Sequence, residues 1–351
     1  MTRSPHFSPL SEGRSFARDI HGAFPPAITV RPGWQGGNAM GKAVQTVMTL
    51  AAVLLASAAT GQTPTGDEAA LRAHYALPGS KFAEIEGQPI HYMDEGKGPA
   101  IMLLHGSFAS LRQWNGWAAR LRRHYRVIRF DMPPAGLSGR SPLGDRGVVH
   151  QVALIEELRR RLGVGRMLLV ATSSGAIPGA AYAATHGEHL SGLIFNNGAV
   201  GPLVLDRSRF PEALKRAVAQ DASHKGYHEE DYWRQILLYN IEDKSKVTPE
   251  LVREWTDLNN RSLRLQVGVV PMPLDERTPD DLAHITVPTL FLWSAQDREV
   301  TVEGEAKRGM ALLAAKDKAL VVVPDCGHMM PLDCSDRALK SAMPFIQRVA
   351  R

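Results

Sequence analysis

Four polar groups in this sequence each follow a short apolar run of the kind that forms a buried strand. They are the Ser173–Ser174 pair after "RMLLVAT", Asp297 at the end of "TLFLWSAQD", His328 in "VVVPDCGHMMPLD", and the segment His105–Ser107 after "AIMLL". The carboxyl ends of parallel strands meet at one edge of an α/β sheet, where functional side chains gather. A serine, a carboxylate and a histidine that meet there can perform nucleophilic catalysis, in which the histidine removes the proton from the serine.

The two adjacent serines raise the question of which one is the nucleophile. A strained turn from a strand into a helix crowds the residues two before and two after a nucleophilic serine, so both must be small. For Ser173 these neighbours are Ala171 and Gly175, whereas for Ser174 one of them is the β-branched Thr172. We therefore predict that Ser173 is the nucleophile, with a purely structural role as a helix N-cap as the alternative.

The acid and the base are predicted from their positions at strand ends. Asp297 would orient His328 and stabilise its imidazolium, and Gly327 would leave the imidazole ring accessible. Taken alone, an aspartate at a strand end is usually a turn residue, and a loop histidine is usually a surface residue. The two side chains are predicted to be functional because they follow the serine in the chain order Ser, Asp, His.

Two backbone N–H groups are predicted to stabilise a developing oxyanion. Ser174 follows the predicted nucleophile and would supply one N–H. The second would come from Ser107, with Phe108 as the alternative, and His105 is interpreted as a structural residue that supports this loop. The sequence has no metal-ligand spacing, phosphate-binding glycine loop or dinucleotide fingerprint, so the predicted chemistry needs no cofactor.

The distribution of strand-like and helical segments predicts the domain organisation. From about Lys81 the two kinds of segment alternate, which is typical of a mostly parallel sheet covered by helices on both faces. The alternation breaks between about Gly201 and His284, where the segments are helical. We therefore predict a linker over 60–80, an α/β core over 81–200 and 285–351, and an inserted helical cap subdomain over 201–284.

Aromatic side chains of the predicted cap are candidates for a substrate pocket. Together with Phe108, the candidates are Tyr232, Trp233, Tyr239 and Trp255. Packing within the core of the cap itself is the alternative for each of them. This composition favours an apolar, medium-sized substrate.

Several motifs, in order, resemble those of the α/β-hydrolase fold superfamily, in its esterase, lipase and epoxide-hydrolase-like branch. "LLHGS" is similar to its HG-x oxyanion loop, "FDMPPAGLSGRSP" to its D-x-P-G-x-G-x-S turn, and "VATSSGAIPGAAYA" to its V-G-x-S-x-G-G helix start. "ITVPTLFLWSAQDREV" resembles its acid strand and "VPDCGHMMPLD" its G-x-G-H segment. The resemblance covers about Phe82 to Arg348 and implies the α/β-hydrolase fold with a Ser173, Asp297 and His328 triad.

The resemblance also narrows the expected reaction. Epoxide hydrolases and haloalkane dehalogenases of this branch use an aspartate nucleophile, and its carbon–carbon bond hydrolases usually have a longer glycine-rich oxyanion loop than "HGSFAS". The expected activity is therefore hydrolysis of small to medium apolar carboxylic esters or lactones through an acyl-enzyme intermediate. Acyl transfer or peracid formation by the same triad, and a non-catalytic binding protein of this fold, are the alternatives.

The charge distribution bears on possible partners. The net charge is +5, but residues 1–58 contain five basic and two acidic residues, which leaves 36 basic and 34 acidic residues in the rest of the chain. This nearly neutral remainder has no nucleic-acid-binding signature. We expect a small-molecule ester or lactone as the partner and no nucleic acid.

The segment that begins at Met40 has the layout of a secretory signal peptide. A short basic start precedes an apolar run from Val47 to Ala59, and Ala56–Ala58 is a plausible cleavage site. We therefore expect a periplasmic or secreted protein with a signal peptide over 40–59 and no stable membrane span after cleavage; an uncleaved membrane anchor is the alternative. Residues 1–39 are rich in Pro, Gly, Ser and Arg, and we interpret them as a disordered or non-native upstream extension.

The chain has only two cysteines, Cys326 and Cys334, and they bracket His328. They are either two free thiols or a single disulfide that closes a short loop, which would need an oxidising compartment. If the protein is exported, this disulfide would clamp the loop that carries the predicted base.

Overall fold

A computed structural model of the chain describes residues 68–142, 144, 147–201, 207–266 and 277–351. The predicted upstream extension, the predicted signal peptide and the first residues of the predicted linker lie outside the described residues. The strands are β1 (Lys81–Ile85), β2 (Gln88–Glu95), β3 (Ala100–Leu104), β4 (Arg126–Phe130), β5 (Met167–Ser173), β6 (Leu190–Gly198), β7 (Thr289–Ser294) and β8 (Lys318–Val323). The helices are α1 (Glu68–Tyr75), α2 (Asn115–Leu121), α3 (Val148–Arg161), α4 (Ala176–Thr185), α5 (Glu212–Asp221), α6 (Glu230–Asn240), α7 (Pro249–Leu265), α8 (Thr278–Leu282), α9 (Lys307–Leu312), α10 (Met330–Asp333) and α11 (Ser335–Val349).

The eight strands form one sheet in the order β1-β2-β4-β3-β5-β6-β7-β8. Strands β1 and β2 form an antiparallel hairpin, and β2 pairs antiparallel with β4. The six strands β3 to β8 are parallel to one another. The central strands are continuous apolar runs because both of their faces are covered. The parallel arrangement brings the ends of β3, β5, β7 and β8 to one edge of the sheet.

Helices cover both faces of the sheet, as predicted. Along β5, Leu168 and Val170 pack into the cluster that includes residues of α2 and α11, whereas Leu169 and Ala171 pack into the cluster that includes residues of α3 and α4. This alternation follows from the two-residue period of a strand. The architecture is the α/β-hydrolase fold expected from the sequence.

Helices α5, α6 and α7 lie between β6 and β7, in the region predicted to be an insertion. We call residues 207–266 the insertion. Thr248 caps the N-terminus of α7, because its side chain accepts a hydrogen bond of 3.3 Å from the Leu251 N–H. The predicted boundary at residue 284 is too late, because α8 belongs to the core. Its Leu282 is buried in the cluster that includes residues of α3 and α4, on one face of the sheet.

Helix α1 lies inside the region 60–80, which the sequence analysis predicted to be a linker. That prediction is wrong for the residues of the helix. Leu71 and Tyr75, four residues apart, are buried on one side of it. Glu68 accepts hydrogen bonds of 2.8 and 2.6 Å from Arg261, so the helix is fastened to α7 of the insertion. This short amphipathic helix is stabilised by tertiary contacts, and a local sequence pattern does not reveal such contacts.

None of the helices in the described part of the chain is long and apolar enough to cross a bilayer.

Candidate active site

Ser173 occupies a strained turn between β5 and α4. Its φ is +50°, in the left-handed region that side chains with a Cβ rarely adopt, whereas Ser174 has no positive φ. A Cβ on Gly175 would lie 2.5 Å from the His105 carbonyl oxygen, so only glycine fits there without a shift. The serine in the strained position is therefore the one with small neighbours, which is the register predicted from the sequence.

The structure brings together the three side chains of the predicted triad. The Nε2 of His328 lies 2.9 Å from the Ser173 Oγ, and its Nδ1 lies 2.8 Å from Oδ2 of Asp297. With the proton on Nδ1 directed to the carboxylate, Nε2 accepts the hydrogen bond of the Ser173 hydroxyl. Asp297 and His328 are buried, at 7% and 5% exposure. This geometry couples a hydroxyl to a base and the base to an orienting carboxylate.

The turn after β7 fixes the orientation of the Asp297 carboxylate. Its Oδ1 accepts hydrogen bonds of 2.8 Å from the backbone N–H groups of both Glu299 and Val300. The other oxygen, Oδ2, faces His328. One Asp297 oxygen is therefore held by backbone donors, and the other is left to accept a hydrogen bond from the imidazole.

A disulfide joins Cys326 to Cys334, with Cα atoms 5.7 Å apart. Of the two states that the sequence left open, the structure has the bridged one. The bond closes a short loop that contains His328, so the backbone on both sides of the base is held together.

Asp333 is a second clamp on this loop, and the sequence analysis did not single it out. Its buried carboxylate accepts hydrogen bonds from the N–H of Gly327 at 2.6 Å, of Glu242 at 2.7 Å and of Asp243 at 3.0 Å. Asp333 therefore ties the loop of the base to the end of insertion helix α6. Three backbone donors on one carboxylate are a tertiary arrangement, which no local motif reveals.

Asn197 positions the same loop from the end of β6. Its Nδ2 donates to the His328 carbonyl at 2.8 Å and to the Ser294 hydroxyl at 2.6 Å, and its Oδ1 accepts from the Ser294 N–H at 2.8 Å. Asn197 has a φ of +44°, a conformation in which asparagine is enriched. This role was not predicted from the sequence. The available signal was the polar pair Asn196–Asn197 directly after the apolar run "LIF" of β6.

Two neighbouring carboxylates make His328 a stronger base. Burial lowers the pKa of His328, but the charges of Asp297 and Glu299 outweigh it and raise the pKa to about 9. Glu299 is a site residue that the sequence analysis missed: its Oε2 lies 3.5 Å from His328 Nε2. The imidazolium that forms during proton transfer is therefore well stabilised.

Backbone N–H groups are available beside the Ser173 hydroxyl. In the described part of the chain, the N–H groups of Ser107, Phe108 and Ser174 have no hydrogen-bond acceptor. The hydroxyl of Ser107 donates to the hydroxyl of Ser174 at 2.8 Å, which links the loop after β3 to the turn after β5. The predicted donors Ser107 and Ser174 are thus adjacent, and Phe108 remains an alternative to Ser107.

His105 has the structural role interpreted from the sequence. Its Nδ1 donates to the Gly106 carbonyl at 2.8 Å, and its Nε2 accepts from the Met132 N–H at 2.8 Å. Burial lowers its pKa, which favours the neutral ring that this pair of hydrogen bonds requires. Both nitrogens are occupied, so His105 supports the loop after β3 rather than acting as a second base.

The insertion contacts the loops that carry the site. Asn259 of α7 donates to the Phe108 carbonyl at 2.9 Å, and the carbonyl of Asn240, at the end of α6, accepts from the Met329 N–H at 3.1 Å. One contact holds the loop with the candidate oxyanion donors, and the other holds the loop with His328. The insertion therefore braces the candidate site from two sides.

The candidate pocket residues divide into buried and accessible side chains. Trp233 is fully buried and donates to Asn260 Oδ1 at 3.2 Å, and Trp255 is buried in the same cluster, although it also lines a small cavity together with Phe108. Tyr239 is also buried. Tyr232 is half-buried, and Phe108 is 46% exposed with its ring 5.4 Å from that of Trp233. Helical spacing places an aromatic residue on a face of the helix but does not decide whether that face is core or pocket.

Among the described residues, no group of three or more His, Cys, Asp or Glu side chains has a geometry that could hold a metal ion. The arrangement instead offers a hydroxyl nucleophile, a base with an orienting acid, and free backbone donors.

Comparison with known proteins places the chain in a family. The model of the alpha/beta hydrolase family matches residues 101–340. The chain therefore belongs to the α/β-hydrolase family, and hydrolases are the class of protein that the fold and its relatives define.

Its relatives include more than one kind of hydrolase. The chain is 27% identical over 288 residues to a 2-hydroxy-6-oxo-6-phenylhexa-2,4-dienoate hydrolase of Comamonas testosteroni, which covers 77% of this chain and 96% of the relative. It is 24% identical to a monoacylglycerol lipase of Xenopus laevis, over 72% of this chain and 76% of the relative. A meta-cleavage product hydrolase of Pseudomonas fluorescens has a similar structure, with a TM-score of 0.64 and 22% identity over 76% of this chain and 97% of the other.

Proposed function

We propose that the protein is a serine hydrolase that cleaves carboxylic esters or lactones of small to medium apolar substrates. The observation that carries this proposal is the hydrogen-bond chain from Ser173 Oγ through His328 to Asp297, with distances of 2.9 and 2.8 Å. Membership of the α/β-hydrolase family and likeness to a monoacylglycerol lipase support it.

The reaction proceeds through an acyl-enzyme intermediate. Ser173 Oγ attacks the carbonyl carbon while its proton passes to Nε2 of His328, and Asp297 stabilises the imidazolium. The backbone N–H of Ser174 and that of Ser107 hold the oxyanion, each contributing about 3 kcal/mol to the transition state. The tetrahedral intermediate then collapses, and the leaving alcohol takes the proton from His328.

Water completes the turnover. His328 removes a proton from a water molecule, whose oxygen attacks the acyl carbon. The second tetrahedral intermediate expels the Ser173 oxygen, which recovers its proton from His328, and the carboxylic acid leaves. For a lactone, acid and alcohol are parts of the same product.

A panel of substrates tests this proposal. We expect the purified protein to hydrolyse 4-nitrophenyl esters of short and medium acyl chains or simple lactones, and Ser173→Ala to lose that activity. Ser174→Ala is the matched control, because it removes a neighbouring hydroxyl and leaves the backbone N–H in place. A wild-type protein without activity on the whole panel would contradict the proposal.

Hydrolysis of a carbon–carbon bond is a second candidate. The likeness to the Comamonas testosteroni hydrolase, over 96% of that protein, supports it. The short "HGSFAS" loop argues against it, because the glycine-rich loop expected of such enzymes is missing. Turnover of 2-hydroxy-6-oxo-6-phenylhexa-2,4-dienoate at a higher kcat/KM than any ester or lactone would favour this candidate.

We also propose that the protein is exported to an oxidising compartment. The Cys326–Cys334 disulfide supports this location, because such bonds persist in the periplasm and outside the cell. Fractionation of cells that express the full chain, with titration of free thiols in each fraction, tests it. Protein found only in the cytoplasm with two free thiols would contradict it.

A further inference from the structure

Glu299 places a second carboxylate at the reacting side of the histidine. Its Oε2 lies 3.5 Å from His328 Nε2, the nitrogen that is also 2.9 Å from Ser173 Oγ. The position of Glu299 is fixed by the triad itself, because its backbone N–H donates to Asp297 Oδ1 at 2.8 Å. The Glu299 carboxylate and the Ser173 hydroxyl therefore face the same nitrogen of the imidazole.

The charge of Glu299 is not neutralised by a permanent cation. The adjacent Arg298 is directed away, donating to Glu242 at 2.6 Å and to the Tyr239 carbonyl at 3.2 Å. Across the described part of the chain, no lysine or arginine forms an ion pair with Glu299. Its side chain is only 17% exposed, so water screens the charge poorly.

We infer that Glu299 selects substrates by charge, so that the site accepts neutral or cationic acyl groups and rejects those with a carboxylate close to the reacting carbonyl. The inference rests on the proposed ester hydrolysis and names the substrate class of that site. When His328 is neutral and can accept the Ser173 proton, the carboxylates of Glu299 and Asp297 beside it have no positive charge between them, and a bound carboxylate would add a third negative charge.

The expected effect is large enough to measure. Two unit charges about 6 Å apart at an effective dielectric constant of about 20 repel each other enough to change binding roughly a hundredfold. Partial screening reduces this to at least tenfold. The substrates named for the dienoate and dienedioate hydrolases among the relatives are carboxylates. Charge selection by Glu299 would disfavour anionic substrates of this kind.

Three 4-nitrophenyl esters of similar acyl length test the inference. They are the neutral butanoate, the anionic hemisuccinate and the cationic 3-(trimethylammonio)propanoate, each assayed for kcat/KM at low ionic strength. We expect the wild type to prefer the butanoate to the hemisuccinate at least tenfold. In Glu299→Gln the ratio of kcat/KM for the butanoate to that for the hemisuccinate should fall about tenfold. The kcat/KM of the cationic ester should also fall relative to that of the butanoate.

Controls separate charge selection from other roles of Glu299. Glu303→Gln removes the same charge from an exposed residue that pairs with Lys307 at 2.7 Å, and its preferences should match the wild type within about twofold. If Glu299 only positioned His328, Glu299→Gln would change all three rates by one factor. In wild-type protein, 0.5 M NaCl should weaken the preference, a readout that does not depend on the variant folding.

The outcomes distinguish the inference from the proposed function. Hydrolysis of the esters with an unchanged anionic-to-neutral ratio in Glu299→Gln would overturn charge selection and leave ester hydrolysis standing. A wild-type protein that cleaves none of the three esters and no simple lactone, and so behaves like Ser173→Ala, would overturn both.

Discussion

The side-chain amide of Asn197 donates a hydrogen bond of 2.8 Å to the backbone carbonyl of His328. The same amide also donates to the Ser294 hydroxyl at the end of β7, at 2.6 Å. One side chain thus sets the position of the base relative to the strand that leads to Asp297. This relationship leads to the first prediction.

Asn197→Gly should lower kcat with little change in KM. Glycine tolerates the φ of +44°, so the variant removes the hydrogen bonds without adding backbone strain. A small displacement of His328 should reduce kcat about tenfold to a hundredfold. Ester kinetics together with the melting temperature measure the effect. A kcat equal to that of the wild type would show that the asparagine does not position the base.

Asp333→Asn should destabilise the fold. The amide matches the carboxylate in size, but its NH₂ group must face at least one of the three backbone N–H donors. We expect the free energy of unfolding in urea to fall by about 1–3 kcal/mol. Asp336→Asn is the control, because that carboxylate is exposed and forms a surface ion pair with Arg120. Equal losses in both variants would contradict the role assigned to Asp333.

Removal of the disulfide should reduce stability by about 2–3 kcal/mol, as the loop-closure relation gives for so short a loop. The Cys326→Ala/Cys334→Ala double variant should melt at a lower temperature than the wild type and be insensitive to reductant. Melting curves with and without dithiothreitol measure both effects. A wild-type melting temperature that reductant leaves unchanged would argue against the bridge.

Activity should rise with pH up to about 9. Burial lowers the pKa of His328, but Asp297 and Glu299 raise it to about 9, and below that pH a protonated Nε2 cannot accept the Ser173 proton. Glu299→Gln should move the rise in kcat/KM to lower pH. A rise centred near 6.5 in both proteins would contradict this account.

The raised pKa of His328 affects folding stability in the opposite direction: stability should fall, whereas activity rises, as the pH increases. Since the folded state favours the protonated imidazole, its contribution to stability is complete below the ordinary value of 6.5 and is lost as the pH rises through about 9.

The hydroxyls of Ser107 and Ser174 should contribute modestly to activity. Their hydrogen bond of 2.8 Å links the two loops that supply the oxyanion donors, but the donors themselves are backbone groups. Ser107→Ala and Ser174→Ala should each retain most of the activity, and the double variant should lose little more than either alone, because each single change already breaks the bond. Independent losses that multiply in the double variant would mean that the hydroxyls act separately.

The sequence was sufficient to predict the sheet, the strained serine and the meeting of the Ser173, His328 and Asp297 side chains. Strand-like runs, small residues around Ser173 and the order Ser, Asp, His are local or sequential signals, and the parallel topology brings strand ends together. Charge and burial could not be predicted in the same way. Glu299 and Asn197 acquire their roles from neighbours distant in sequence.

The packing of the insertion could not be predicted from the sequence either. The aromatic spacing in α6 and α7 fitted both a pocket and a core, and the structure places Trp233 and Trp255 in the core. Helix α1 was missed because its eight residues are marginal as an isolated helix and depend on contacts such as that between Glu68 and Arg261.

The identity of the nucleophile is the central claim, and labelling with a fluorophosphonate tests it most directly. Mass spectrometry of the digested, labelled protein should find one adduct, on Ser173, and the adduct should be absent from Ser173→Ala and present in Ser174→Ala. An adduct on Ser174, or a folded wild-type protein that takes no label, would contradict the account.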